Sequence, residues 1–295
     1  MQYTIWNKKI ELTVDTHGAE AVSLKKDGRE YIWNADPEFW NRHAPVLFPF
    51  VGKPKDKKYR YEGREYPMGQ HGFARDMEFT LTKQEPDKLQ FTLIDDDKTR
   101  EVYPFHFMLQ VEYKLTGSSV KVKWKVLNSD IKKLWFSIGG HPAFLCPPDG
   151  GQGTWEDYRI YFSKNGCPVD MLKIKALTPD GLVSHKKPYK LFTYNGFVTP
   201  TKALFDDDAL IIEDSQADSV SLTDSVGLEY LRVDFDTPLF GVWSPAGKDA
   251  PFICIEPWYG RADSEDFNGD ISLRRYEMEL DPGEKFKGGF RITVK

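Results

Sequence analysis

One carboxylate is placed where water is scarce. Glu256 sits in Ile253-Cys254-Ile255-Glu256-Pro257-Trp258-Tyr259-Gly260, at the end of an apolar run and just before two aromatics. A lone acid withdrawn from water needs a compensating partner, so Glu256 is either half of a buried ion pair, with Arg261 or Arg75, or a working group. Far upstream, Gly139-Gly140-His141-Pro142-Ala143-Phe144 offers an imidazole in a similar setting. Its backbone is constrained by the glycines before it and the proline after it, so the side chain is either aimed from a strand end or satisfied in a turn. A carboxylate and an imidazole suffice together to move protons at neutral pH. A third candidate, His71, lies in Met68-Gly69-Gln70-His71-Gly72-Phe73-Ala74-Arg75-Asp76, where glycines let the backbone approach a ligand and a cation follows four residues on.

Other chemistries lack their motifs. None of the six histidines belongs to a His-x-x-x-His zinc helix, and the cysteines show no Cys-x-x-Cys pairing. There is no Gly-x-Ser-x-Gly elbow and no phosphate-cradling Gly-x-x-x-x-Gly-Lys loop. What remains is metal-free acid–base work, without a cofactor, or plain binding. Cys146, Cys167 and Cys254 cannot all pair within one chain, and the N-terminus has no secretory pattern, so a reducing cytoplasm is expected. A net charge of −5, with basic residues dispersed in mixed-sign runs, argues against a nucleic-acid partner. No apolar run approaches the ~18 residues of a membrane helix. Aromatic residues make up 14% of the chain, enough to line a sugar site as well as a core.

The elements that must position these groups read as strands. Residues 120–126, Val-Lys-Val-Lys-Trp-Lys-Val, alternate strictly, and residues 107–115 form their partner through Thr116-Gly117-Ser118. The same grammar predicts hairpins joining Val22-Ser23-Leu24 to Tyr31-Ile32-Trp33, turning at Glu62-Gly63, and joining residues 79–82 to 89–93. Further strands are predicted at 220–222, 230–233 and 290–294. Short helical pieces are expected near Asp36 to Trp40, around Lys98 to Tyr103 and after Asp263. Strands every ten or so residues without βαβ alternation imply an all-β fold of antiparallel sheets packed face to face. Without repeats or linkers, residues 1–295 read as one domain, with 146–200 supplying loops at a rim. His17 reads as a turn histidine and His106 as a core one.

The ordered set His-Gly-Phe-Ala-Arg (71–75), Gly-Gly-His-Pro-Ala-Phe (139–144) and Cys-Ile-Glu-Pro-Trp-Tyr-Gly-Arg-Ala-Asp (254–263) closely resembles the galactose mutarotase-like, or aldose 1-epimerase, proteins. It looks most like the bacterial branch associated with lactose and galactose operons, and the likeness covers essentially the whole chain. It implies a large antiparallel β-supersandwich with few short helices and a cleft on one sheet. It also implies a reaction, interconversion of the α and β anomers of a free hexose. By the same resemblance Glu256 is the general base at the C1 hydroxyl and His141 the general acid at the ring oxygen, while His71 orients the sugar.

Within Asp206-Asp207-Asp208, the resemblance points to a hydroxyl-binding aspartate, assigned to Asp208 because it abuts the following strand. Arg42 and Arg75 resemble phosphate-binding positions of hexose-6-phosphate 1-epimerases, whose guanidinium forks suit a dianion. Arg75 could equally pair with Glu256 or hold a hydroxyl, and Arg42 could anchor its own loop. Trp258, Trp243 and Phe144 are candidate aromatic walls. A non-catalytic sugar-binding protein is one competing reading. Glycoside cleavage is another and requires a second acid, Asp263 or Asp266. The expected partner is a small sugar, free or phosphorylated, bound by a monomer or homodimer.

Overall fold

The computed structural model describes residues 1–186 and 188–295. Among them, two large antiparallel sheets carry most of the chain. One runs in spatial order Cys167–Pro168, Arg159–Lys164, Ser219–Thr223, Glu229–Phe235, Lys285–Val294, Ser119–Asn128, Phe107–Thr116, Lys88–Ile94 and Thr80–Glu85. The other runs Tyr189–Phe192, Met171–Lys175, Leu210–Ile212, Leu239–Trp243, Phe252–Tyr259, Ile138–Gly140 and Val46–Leu47, with Ala143–Leu145 also paired to Phe252–Tyr259. A four-stranded N-terminal sheet begins at Gln2–Trp6 and packs into the same core.

Period-two patterning explains the packing. In Ser119–Asn128, Val120, Val122, Trp124 and Val126 are buried while Lys121 and Lys123 are exposed, so one face of the strand can enter a core. Its partner is Phe107–Thr116, joined through Gly117 at φ 58°. The two large sheets meet through aromatic pairs, with Phe235 against Phe240 at 4.9 Å and Tyr259 against Phe286 at 5.0 Å between ring centroids. Such contacts contribute large buried areas plus a modest geometric preference.

Some expectations are corrected. The hairpin from Val22-Ser23-Leu24 forms only as far as Tyr31: Ala21–Lys26 pairs with Arg29–Glu30 and the Tyr31 amide donates to the Leu24 carbonyl, while Ile32 leaves to bridge Phe144 and the Trp33 amide donates to the Ala143 carbonyl. Buried Ile32 and Trp33 are better satisfied between sheets than along a half-wet hairpin. Residues 146–200 supply edge strands to both large sheets, although Leu177 and Gly181 do reach a cavity rim. The expected helix around Lys98 is Asp97–Val102, closed by an Asp96–Thr99 capping box. Near Asp36 only one turn forms, with the Phe39 and Trp40 amides donating to the Asp36 carbonyl. After Asp263 there is only the three-residue 3-10 turn Ile271–Leu273. His106 is an exposed residue whose Nδ1 lies 2.8 Å from Asp95, not a core histidine.

The central strand Phe252–Tyr259 shows how the site-bearing sheet is built. Ile253 and Ile255 join the core between the sheets, while Phe252, Cys254, Glu256 and Trp258 face the other way. Trp258 lies flat because its neighbouring strands present glycines. A Cβ on Gly139 would meet the indole Cδ1 at 2.5 Å, and one on Gly241 would meet the six-membered ring at 2.5 Å. Gly241 is the register partner of Glu256, so the indole covers the sheet directly beside the acid. Gly140 faces the opposite side, where a Cβ would strike Phe290 at 2.8 Å. Overpacking of this kind costs about 1–3 kcal/mol. Gly241→Ala is therefore expected to lower stability by about that amount in urea denaturation and to shift tryptophan fluorescence; an unchanged midpoint and spectrum would contradict the packing described.

Candidate active site

Glu256 is 1% exposed, and His141 Nε2 lies 3.1 Å from its Oε2. The two residues are far apart in sequence and meet because Ile138–Gly140 pairs beside Phe252–Tyr259, with Gly139 opposite Trp258. The chain then turns at Pro142 into Ala143–Leu145 along the same central strand, Ala143 opposite Cys254. His141 is held where the neighbouring strand changes register. Its amide donates to the Pro45 carbonyl, and its ring is stacked by Trp40 at 4.8 Å and met edge-on by Trp243 at 5.5 Å and His71 at 5.6 Å. Rotation of the imidazole is thereby blocked on three sides.

Both groups open into a cavity of about 420 Å³, also lined by His71, Arg75, Arg42, Asp208, Trp258 and Trp243. The structure thus brings together Glu256, His141, His71, Arg75, Arg42, Asp208 and Trp258 in one concavity. Phe144 is fully buried and does not line it. Trp40 and Lys53, which the sequence reading passed over, do. Trp40 stands two residues before Arg42 in an aromatic loop, and that spacing was the available signal. The loop is fixed by Glu20, whose Oε1 accepts from the His43 and Ala44 amides at 2.7 Å each.

His71 has φ 66°, uncommon for a non-glycine residue, and the adjoining Gly72 packs so tightly that a Cβ would meet the Phe48 carbonyl at 2.3 Å. The Gly52 amide donates to His71 Nδ1 at 3.2 Å, and the Gln70 side-chain amide nitrogen lies 3.2 Å from Nε2. Arg75 donates to the Gln70 carbonyl at 2.8 Å, and its Nε has no hydrogen-bond partner. Arg42 pairs with Asp76 at 2.7 Å, and Arg75 lies 3.7 Å from the same carboxylate. Two cations share one acid at the cavity wall. Asp208 stands exposed at the rim, with φ 72°.

The alternative partners of Glu256 are engaged elsewhere. Arg261 pairs with Glu213 at 2.6 Å. Asp263 is bound to Arg274 at 2.7 Å and accepts from the Lys55 amide, while Arg274 also holds Glu277 at 2.6 Å. Burial chiefly, with Asp263 adding, pushes Glu277 up to about 7 against the opposing pull of Arg274. This buried network fixes the turn carrying Ala262, whose backbone approaches Gly52 so closely that a Cβ there would meet the Ala262 nitrogen at 2.2 Å. Asp266 is exposed beside His185. Neither acid lines the cavity, so the two residues named as the second carboxylate for glycoside cleavage do not stand with Glu256 there.

Electrostatics correct one further expectation. A base at Glu256 and an acid at His141 would stand as carboxylate and imidazolium, provided burial did not outweigh their attraction. Burial instead raises Glu256 well above the ordinary carboxyl range, with the Asp208 charge adding to it. Burial also drives His141 down to about 3, helped by the Arg75 and Arg42 guanidiniums, and His71 falls for the same first cause. Desolvation therefore outweighs mutual attraction, and burial favours the uncharged form of each partner, a protonated Glu256 and a neutral His141. Both Glu256 oxygens, His141 Nδ1 and Trp258 Nε1 are buried without hydrogen-bond partners. Such groups are costly unless a ligand satisfies them.

An antiparallel sandwich holding an acid and an imidazole in a polar cleft on one sheet is the architecture of a galactose mutarotase-like protein. The chain belongs to the aldose 1-epimerase family, whose model matches residues 1–292. It is 31% identical to the plasmid-encoded protein LacX of Lactococcus lactis subsp. lactis, over 100% of this chain and 99% of that protein. Among solved structures, a galactose mutarotase related enzyme from Lactobacillus acidophilus superposes with a TM-score of 0.90 at 35% identity, covering 100% of this chain and 97% of the other. A galactose mutarotase-like protein from Lactobacillus casei also gives 0.90, at 30% identity and 100% coverage of both chains. Membership implies a sugar substrate and isomerase chemistry. Among the described residues no helix is long and apolar enough to cross a membrane.

Because folding raises the pKa of Glu256, its contribution to stability is fully present below the unfolded carboxyl value of about 4.3 and is lost as pH rises toward the folded value. Glu256→Gln removes that loss. The variant is expected to be more stable than the parent at pH 7.5, by on the order of 1–2 kcal/mol, with the gain vanishing near pH 4. Urea midpoints at the two pH values check this, and a destabilised variant at pH 7.5 would refute the assignment.

Proposed function

We propose that this protein is an aldose 1-epimerase that interconverts the α and β anomers of a hexose by general acid–base ring opening and closure. The observation that carries the reading is the buried Glu256–His141 contact of 3.1 Å, on the floor of a cavity whose polar atoms lack partners. A hexose supplies hydroxyl donors and acceptors on every side, matching the orphaned groups.

When a sugar enters, its hydroxyls donate to the Glu256 oxygens and favour the carboxylate, so the pair's single proton crosses to His141. Glu256 then takes the proton of the C1 hydroxyl as His141 gives its own to the ring oxygen, and the C1–O5 bond breaks to give the open aldehyde. Rotation about C1–C2 presents the other carbonyl face. His141 recovers the proton from the C5 hydroxyl, Glu256 returns one to the carbonyl oxygen, and the ring closes as the other anomer. His71 and Arg75 orient sugar oxygens, Asp208 accepts from a hydroxyl at the rim, and Trp258 forms the apolar platform. Trp40 stacking holds His141 and favours its transient cation.

One observation supports a second substrate form. Arg42, Arg75 and Lys53 line the same wall, with only Asp76 paired to the two arginines, and Arg75 Nε makes no hydrogen bond. A phosphorylated hexose would place its dianion there.

Freshly dissolved α-glucose, α-galactose and hexose 6-phosphates, followed by polarimetry or proton NMR, are expected to equilibrate faster with the protein; acceleration of none would sink the proposal. Glu256→Gln and His141→Asn are each expected to lower kcat about 100-fold or more. Since the working pair holds one proton, the acid limb of kcat/KM marks entry of a second one at His141 and should fall well below pH 6.5, whereas a limb at 6.5 would contradict its burial. For the phosphorylated form, Arg42→Ala should raise KM for a hexose 6-phosphate more than for the free hexose, and an equal change for both would remove that reading.

A further inference from the structure

Behind the acid–imidazole pair lies a third donor. Cys254 is two residues before Glu256 on the same face of Phe252–Tyr259, fully buried and reduced. Its sulfur, one nitrogen of His141 and one oxygen of Glu256 all lie within 4.8 Å of one another. Strand register creates the cluster: Ala143, two residues past His141, is the partner of Cys254.

We propose that Cys254, His141 and Glu256 form a binding site for a borderline-soft divalent cation, Zn²⁺ above all, and that the metal competes with sugar for the cavity. Three facts favour it. The set is thiolate, imidazole and carboxylate, three of the ligand types zinc takes, with bonds of ~2.0–2.3 Å. A tetrahedral ion asks its ligand atoms to stand roughly 3.5 Å apart, whereas those of the cluster lie within 4.8 Å of one another, and side-chain torsions supply the difference. Both Glu256 oxygens are buried without a hydrogen-bond partner, so the acid is available to a ligand.

The charge sum explains why so dry a place can accept a dication. Zn²⁺ enters as two protons leave for solvent, one from the Cys254 thiol and one from the Glu256 carboxyl. The loaded site, Zn²⁺ with one thiolate, one carboxylate and one neutral imidazole, carries no net charge, so burial does not oppose it as it would a lone ion. Hard cations such as Mg²⁺ prefer oxygen ligands and find only one carboxylate here. Of the three ligands His141 and Glu256 line the cavity, so water or a sugar hydroxyl in it can supply the fourth. Arg42 and Arg75 on the wall repel the ion and set an upper limit on affinity. Metal binding stands independently of the epimerase reading; only the inhibition that follows from it rests on that reading.

Co²⁺ titration under anaerobic conditions tests the site without any sugar. The protein, and a Cys167→Ser variant lacking the exposed thiol, are expected to develop a thiolate-to-Co²⁺ charge-transfer band in the near ultraviolet that saturates at one ion per chain and is displaced by Zn²⁺. Cys254→Ala should abolish the band while far-ultraviolet circular dichroism stays native. Glu256→Gln, which keeps the thiol, should weaken Zn²⁺ binding by more than the ~10–100-fold that loss of an outer partner costs. Absence of the band, its survival in Cys254→Ala, or unchanged Zn²⁺ affinity in Glu256→Gln would each overturn the proposal. In anomerisation assays Zn²⁺ should raise the apparent KM and EDTA should restore it; unchanged kinetics at saturating Zn²⁺ would remove competition with sugar, whereas absence of any epimerase activity would leave the cobalt result as the test of the site.

Discussion

The desolvation of Glu256 is the constraint around which the rest is arranged. A carboxyl in the middle of a central strand, with isoleucines on the opposite face and an indole beside it, loses its hydration and finds no cation in return. Burial therefore favours the protonated acid and, 3.1 Å away, the uncharged imidazole. Two neutral partners at that distance are poised for proton transfer in either direction, which the proposed ring opening and closure requires. Full ionic pairing would bind each group to the other instead of to a substrate.

Holding that arrangement takes structure on every side. Gly139 and Gly241 let Trp258 lie flat beside the acid, and Trp40, Trp243 and His71 fix the imidazole plane. Glu20 organises the loop carrying Trp40 and Arg42, while the Asp263–Arg274–Glu277 cluster braces the turn at Ala262. Buried ion pairs of this kind are weak contributors to net stability. Their role here is geometric: removing one partner would leave another charge buried and unmatched under the cavity wall. The unusual backbone at His71 and Asp208, both with positive φ, lies at the same cavity, where strain is held by surrounding contacts.

Much of this was legible in the chain because its signals are local. Alternation in residues 120–126 is a property of neighbours, so the strand and its hairpin follow directly, as does the short helix expected around Lys98. Where local pattern competes with distant burial it misleads. Tyr31-Ile32-Trp33 alternates like a hairpin arm but leaves the hairpin after Tyr31, with Ile32 drawn to Phe144, and His106 lies between buried phenylalanines yet points to solvent. Residues 146–200, rich in Pro and Gly, still add edge strands, since an open sheet edge offers hydrogen bonds that composition does not reveal.

The sequence by itself determined an antiparallel all-β chain and, through ordered motifs, the family and the seven residues that converge on one cavity. It could do so because strand periodicity and motif order are written in consecutive residues. Tertiary structure alone decided that Arg261 and Asp263 brace the wall while Glu256 is left to His141, that burial favours the protonated acid, and that Cys254 completes a third corner. Those outcomes depend on strand register and on burial, which bring together residues more than a hundred positions apart and change their affinity for protons, and neither quantity is encoded in any local stretch of the chain.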